Sequence, residues 1–458
     1  MISIYTVVVL LFITQFLKYK MENAITGWKR YMLVQPSMMI LITAQAISSN
    51  ILTDLVVYRT CIITLNINKT ECLLLHENSS SAEALKIDAQ VQPKASLILM
   101  TKSIIESVIP AFLSLFLGPW SDIYGRKSIM LPGYIGTSLM YLFLSFMSVW
   151  DVNPWFLLIA YIPYACCGGF GIILLGTICY LTDISNEQER SWQLAWMEAL
   201  ISVGILTGIL TGPVIFRAYG YTVVFAIAAI CCIVAGLHTF FLVPETICNI
   251  TVKSLFDIHL VRKLINTCTK KRNGFDRYIV WCCIGCIILM VIALQGDMTI
   301  GFLFATARLG WDVNKYSIYL ATNIIFSVLG IIFGVKLFVT YGESLVNKIC
   351  CLVHSFTLKP WHMYLSAVVG MFGGITSPMI RAIISKSVPS EDTGKIFSMT
   401  VSIETLTPLV AAPLYNLIYL HFMPPIYPLP VCFCVFVFSL NICIIIPFNI
   451  AGTKTFKS

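Results

Sequence analysis

Eleven apolar stretches, each near twenty residues long and almost free of charge, leave this chain little choice of surroundings. They run near 33–57, 97–119, 128–149, 155–181, 194–216, 221–243, 278–300, 316–339, 361–385, 396–420 and 427–450. About twenty apolar residues in a helix cross the roughly 30 Å of a bilayer's hydrocarbon, so each stretch predicts a spanning helix. Only 11% of the 458 residues are charged and 58% are hydrophobic, whereas soluble domains carry roughly 25% charged residues. The formal net charge of +8 therefore reports orientation in the bilayer and does not point to nucleic acid.

Two weaker segments frame this count. Residues 3–17 end at Lys18 and Lys20 without a basic lead or a small-residue cleavage site, so they read as an extra helix or as sequence upstream of a start at Met21. Val346–Phe356 is too short to span alone, at roughly 16 Å as a helix. With that segment taken as a nominal ninth span, alternating loops place eighteen Lys/Arg on one side and eight on the other. The richer side is cytoplasmic by the positive-inside rule, with both ends of the spanning region inside. The loop 58–96 is then extracellular, with sequons at Asn68 and Asn78 as glycosylation acceptors. Cys61 and Cys72 lie in the same loop, where a disulfide is plausible. Thirteen of the seventeen cysteines sit in or beside apolar runs, where a thiol acts as a small hydrophobe. No Cys/His spacing suggests a zinc site and no nucleophile–base arrangement suggests an enzyme, so no metal, no cofactor and no catalytic residue is expected.

The basic stretch 244–277 divides the chain. Its expected organisation is an amino-terminal segment 1–32, a six-helix bundle 33–243, a cytoplasmic linker 244–277, a second bundle 278–450 and a tail 451–458. Features recur across the linker at an offset near 205 residues: Gly168-Gly169 with Gly373-Gly374, Arg190 with Lys395, and Glu198 with Glu404. Parallel repeats about an axis along the membrane normal are a transporter signature.

The turn Gly118-Pro-Trp-Ser-Asp122-Ile-Tyr-Gly125-Arg126-Lys127 joins spans two and three. Gly118 allows two helices to approach and Gly125 permits a tight reversal. Asp122 can pair with Arg126 or face a helix amino end, making a charged latch that holds helix ends together in one conformation. A plain positive-inside anchor by Arg126 and Lys127 is the simpler reading. Intramembrane charges are costly, about 2.5–3.5 kcal/mol at mid-bilayer, and usually face a cavity. Glu106, Glu198, Asp297, Arg381 and Glu404 fall in this class. A carboxyl taken partly out of water can hold a proton, which suits Glu198 to proton coupling. The five donors of Arg381 suit a carboxylate, and Glu404 reads equally as a structural counterpart of Glu198 or as a functional acid. Tyr161, Tyr164 and Trp196 are candidates to line a cavity.

The turn resembles the signature loop of the major facilitator superfamily. Val34-Gln35-Pro36, Tyr58-Arg59, Thr182-Asp183, Glu198, Ile380-Arg381-Ala382 and Glu391–Leu406 further resemble solute carrier family 46, which includes the proton-coupled folate transporter and its relatives. This resemblance implies an all-α, twelve-helix major facilitator fold in two pseudo-symmetric bundles, here with a shortened ninth helix. It implies symport of an organic anion with protons by alternating access, at the plasma membrane or a lysosomal membrane. Glu198 then matches the proton-coupling acid, Arg381 the arginine associated with substrate affinity, and Asp122 with Arg126 the latch. Beside these, the residues themselves suggest Glu404 as a second substrate contact, Gly118, Gly125 and Lys127 as parts of the latch, and Asp183 with Arg190 as a cytoplasmic charge cluster. The chain departs from the family at Gln35, which stands where an acid is usual, and in having no histidine between His259 and His354. A non-transporting membrane receptor or scaffold is the competing reading, favoured by the short ninth segment.

Overall fold

The computed structural model describes residues 32–72, 82–186, 189–246, 262, 266, 277–309, 311, 313–338, 359–388 and 393–422. Asn78, residues 1–31, most of the linker, the Val346–Phe356 segment and the last apolar stretch lie outside them. The described residues are helical almost throughout: α1 Gln35–Arg59, α2 Ala82–Tyr124, α3 Lys127–Ser148, α4 Tyr161–Cys166, α5 Gly169–Ile184, α6 Arg190–Leu242, α7 Arg277–Leu309, α8 Val313–Phe338, α9 Pro360–Val369, α10 Thr376–Lys386 and α11 Thr393–Phe422. Five stretches among them are long and apolar enough to cross a membrane: 35–64, 93–124, 127–148, 154–184 and 190–242.

Local chemistry explains where these helices start and stop. Pro36 opens α1, where its missing N–H is no loss. Asn153 caps the 3₁₀ turn Pro154–Ala160, its side chain accepting the Trp155 N–H at 3.1 Å. Span four breaks between α4 and α5 at Gly168-Gly169, and span ten breaks at the 3₁₀ turn Gly370–Ile375 between α9 and α10. The two glycine pairs of the repeat therefore interrupt corresponding spans. α6 is 53 residues long because it joins two expected spans; Gly220, at φ 76° and ψ −173°, turns the chain between them. Most side chains are strained there, so the reversal needs glycine.

The chain gathers into two compact units. One comprises Met1–Ser114, Lys127–Gly176 and Gly204–Glu245; the other comprises Leu115–Arg126, Thr177–Val203 and Thr246–Ser458. In the first, Gly204, Gly208 and Gly212 of α6 lie against the backbone of α1 at Met39, Thr43 and Ile47, so close that any Cβ would overlap it. Small residues at such spacing let two backbones meet in lipid, where hydrophobicity does not drive helices together. Arg59, buried at the end of α1, donates to the carbonyls of Met147 (2.9 Å) in the last turn of α3 and of Trp150 (2.6 Å) just beyond it. These bonds satisfy carbonyls that the helix end leaves open. In the second unit, Trp311, Tyr319, Met363 and Ala367 form an aromatic core around α8 and α9. A separate cluster in the same unit sets Ala195 and Ala199, at the start of α6, against Ile331 and Met379.

Cys61 and Cys72 are disulfide-bonded, with a Cα–Cα distance of 6.0 Å. Asn68 is exposed inside the small loop they close. The neighbouring Lys69 pairs with Asp151 at 3.1 Å, and its pKa is raised by that hydrogen bond and charge. Such a crosslink is worth about 2–4 kcal/mol, mainly by restricting the unfolded chain. Cys61→Ser is expected to lower the thermal melting temperature by several degrees; an unchanged melt would show that the bond contributes nothing to stability.

Candidate functional site

Two clusters of candidate residues assemble, both in the second unit. The first is built on the turn after α2. Gly125 has φ 99°, a conformation that reverses the chain at little cost only in glycine. The turn carries Arg126 back beneath the end of its own helix. The guanidinium is 2% exposed and bonds the carboxylates of Asp122 at 2.6 Å and Asp183 at 2.8 Å. It also donates to the Ser121 hydroxyl at 2.8 Å. Burial works against the charge on Arg126, but Cys179, Asp122 and Asp183 favour it more strongly and hold its pKa above the ordinary arginine value. Thr246 donates to the second carboxylate, Asp183, at 3.3 Å.

Close approach of α11 completes this cluster. A Cβ on Gly394 would overlap the Asp122 carboxylate and reach the Arg126 guanidinium, and a Cβ on Gly118 would overlap the side chain of Ser398. The buried ammonium-bearing residue Lys395 is near enough to act on Asp122 electrostatically. Thus the end of α2 and the start of α11 meet through two glycines, one from each helix. Arg190, at the start of α6, lies between two other elements. It donates to the carbonyls of Thr182 (3.3 Å) and Ser185 (3.5 Å) at the end of α5, and to Ser385 of α10 through its carbonyl (3.3 Å) and hydroxyl (3.2 Å). A cation at a helix carboxyl end meets both the open carbonyls and the dipole.

Lys127 has different partners from the other motif residues. Its ammonium donates to the carbonyls of Phe240 and Val243 at the end of α6, and its backbone N–H donates to Glu245 at 3.1 Å. It closes a helix end in the first unit, while Asp122 and Arg126 belong to the second.

The second cluster brings Glu198, Arg381 and Glu404 together from three helices. Arg381 Nη2 bonds Glu404 Oε2 at 3.0 Å, with side chains 6% and 12% exposed. Arg381 Nε donates to Ser377 Oγ at 3.3 Å, and Ser377 Oγ donates to Glu198 Oε1 at 3.0 Å. One guanidinium is therefore connected to two carboxyl groups, directly and through one hydroxyl. Arg381 Nη1 and Glu404 Oε1 are buried with no hydrogen-bond partner among the described residues. A buried orphan donor on one member of an ion pair and a buried orphan acceptor on the other are costly unless something else engages them.

Sequence reasoning missed Ser377, Ser398 and the role of Gly394. Ser377 could have been found, since it lies one helical turn before Arg381 on the same face. The closeness of Gly118 to Ser398 and of Gly394 to Asp122 has no local signal, because each pair joins residues far apart in the chain.

The comparisons agree with this architecture. A model of the Major Facilitator Superfamily matches residues 82–412. The chain is 26% identical to a probable peptidoglycan muropeptide transporter of Drosophila melanogaster, over 90% of this chain and 84% of that protein. It is 24% identical to the proton-coupled folate transporter of Rattus norvegicus, over 76% and 78% of the two chains. Among solved structures, a human organic anion transporter superposes with a TM-score of 0.71 at 12% identity, covering 92% of this chain and all of that one. The Escherichia coli fucose:proton symporter gives 0.62 at 13% identity, covering 92% and 98%. A match over this length, on helices interrupted and joined as described, shows that the chain belongs to the Major Facilitator Superfamily, a multi-pass membrane transporter and not an enzyme.

Proposed function

We propose that this transporter is a proton-coupled symporter of an organic anion, working by alternating access. The observation that carries the reading is the Glu198–Ser377–Arg381–Glu404 cluster. With both carboxyls ionised the cluster carries a net charge of −1; with one protonated it is neutral. A substrate carboxylate that takes Arg381 from Glu404 leaves that carboxylate buried without its cation, an arrangement worth several kcal/mol of destabilisation unless a proton neutralises it. Substrate and proton therefore favour each other's binding, which is what symport requires. Glu198, bound to Arg381 through Ser377, is the carboxyl through which the proton arrives. The similarity to a proton-coupled folate transporter and to a probable peptidoglycan muropeptide transporter supports the reading. Both substrate classes carry carboxylates.

The Asp122–Arg126–Asp183 cluster, with Gly118 and Gly394 at the α2–α11 contact, acts as the latch. Those contacts must part when the helix ends separate. The Lys/Arg bias places this latch in the cytoplasm, which makes the loop of Asn68 and the Cys61–Cys72 disulfide extracellular and Asn68 a glycosylation acceptor. The plasma membrane suits such a protein, with acidic lysosomal membranes as the other proton-rich setting.

Glu198→Gln keeps the hydrogen bond to Ser377 but cannot carry a proton. Uptake of labelled folic acid or muramyl dipeptide is expected to lose its stimulation by external acid, falling about tenfold or more at acidic pH. Full acid-stimulated uptake by that variant would overturn the role given to Glu198.

A further inference from the structure

The first unit contains a further charged group, distinct from the latch and from the Arg381 cluster. Lys102 and Glu106 stand one turn apart on α2, with Nζ–Oε2 at 2.9 Å and side chains 23% and 27% exposed. The Lys102 ammonium also lies 5.3 Å from the centroid of the Tyr161 ring, within the range of a cation–π contact. Tyr161 is buried and packs edge-on against Tyr164, centroids 6.4 Å apart. Glu106 is close enough to act electrostatically on Tyr141, Tyr161 and Tyr164.

The helix itself shows which way this pair faces. Leu97, Met100, Ile104, Val108 and Phe112 are exposed and recur every three or four residues, so they form one apolar stripe suited to lipid. Lys102 and Glu106 each follow a member of that stripe by two residues, which is roughly 200° around a helix. The charges therefore stand opposite the lipid-facing stripe, on the tyrosine side, yet about a quarter of each side chain is open. An ion pair of this spacing is a weak stabiliser of a helix, and charges in a span tend to mark substrate or ion paths.

We propose that Lys102, Glu106 and Tyr161 form an anion-capture site. A carboxylate of the transported solute displaces Glu106 from the Lys102 ammonium, while Tyr161 holds the ammonium in place from its other side. This rests on the organic-anion reading above, and it gives the first unit a carboxylate-binding group of its own. Glu106 is the competitor in the site, so it sets how easily the anion is released.

The test is equilibrium binding of tritiated folic acid and tritiated muramyl dipeptide to the purified full chain in lipid nanodiscs at acidic pH. Wild type is expected to bind at least one of them. Lys102→Ala should weaken that binding about tenfold or more, and Lys102→Arg should largely restore it. Glu106→Gln should tighten it, because the competing charge is gone. A purely structural pair behaves otherwise: both neutralising variants then lower the melting temperature, and neither moves binding in opposite directions. Unchanged binding in Lys102→Ala overturns the site alone, as does equal weakening by both variants. Should Lys102→Ala fail to fold, Glu106→Gln decides: tighter binding supports the site, and unchanged or weaker binding overturns it. Wild type that binds neither probe overturns the organic-anion reading and this site with it.

Discussion

Arg381→Ala is expected to reduce uptake of folic acid or muramyl dipeptide by about a hundredfold or more, the loss of roughly 2.7 kcal/mol of substrate interaction. The guanidinium is nearly buried and is the cation bonded to Glu404, so its removal has two consequences. The substrate loses a fork of donors that includes the orphan Nη1. Glu404 loses its partner, and an uncompensated buried charge costs about 3–5 kcal/mol of stability. These effects separate in the double variant Arg381→Ala/Glu404→Ala, which removes both charges. It should recover the membrane abundance of wild type and remain inactive. Arg381→Lys keeps the charge but not the planar fork, and should retain only a small fraction of uptake. Surface biotinylation beside uptake measures both quantities. A double variant that transports normally would show that Arg381 serves the fold and not the solute.

Gly394→Val should also lower uptake, by a different route. Any Cβ at this position falls on the Asp122 carboxylate and close to Arg126, so the side chain must push α11 off α2 or break the Asp122–Arg126 bond. Overpacking costs about 1–3 kcal/mol, and parting a buried, charge-assisted bond adds to it. Uptake is expected to fall at least tenfold, with a lowered melting temperature. Gly394→Ala should follow the same direction less severely. Asp122→Ala removes the atoms that collide, so adding it to Gly394→Val should cost little more than the valine alone. Two fully additive losses would show that Gly394 does not act through Asp122.

The clusters show how unevenly the sequence discloses such a protein. The apolar stretches announced spanning helices directly, because in lipid every backbone group must be satisfied within its own helix, which makes the signal local. Where α6 runs on past one expected span, the sequence still carried the reason in Gly220. The motif at Gly118–Lys127 was legible as a charged turn, and Arg126 does pair with Asp122 four residues away. Its link to Asp183 and the divergence of Lys127 toward the end of α6 were not legible, since both depend on how distant helices pack.

Glu198, Arg381 and Glu404 could be picked out by themselves, because a charge in an apolar span is conspicuous. Composition and spacing determined that this chain lives in a membrane, that its halves echo each other and that these residues are exceptional. Only the tertiary structure decided that they are one group. It set Ser377 between Glu198 and Arg381, gave Arg381 its bond to Glu404, and seated Gly394 on the pair that Gly125 turns back under α2. The reason is physical: the cost of burying a charge is written in one residue's surroundings, but its compensation comes from partners on other helices, and only packing brings those within 3 Å.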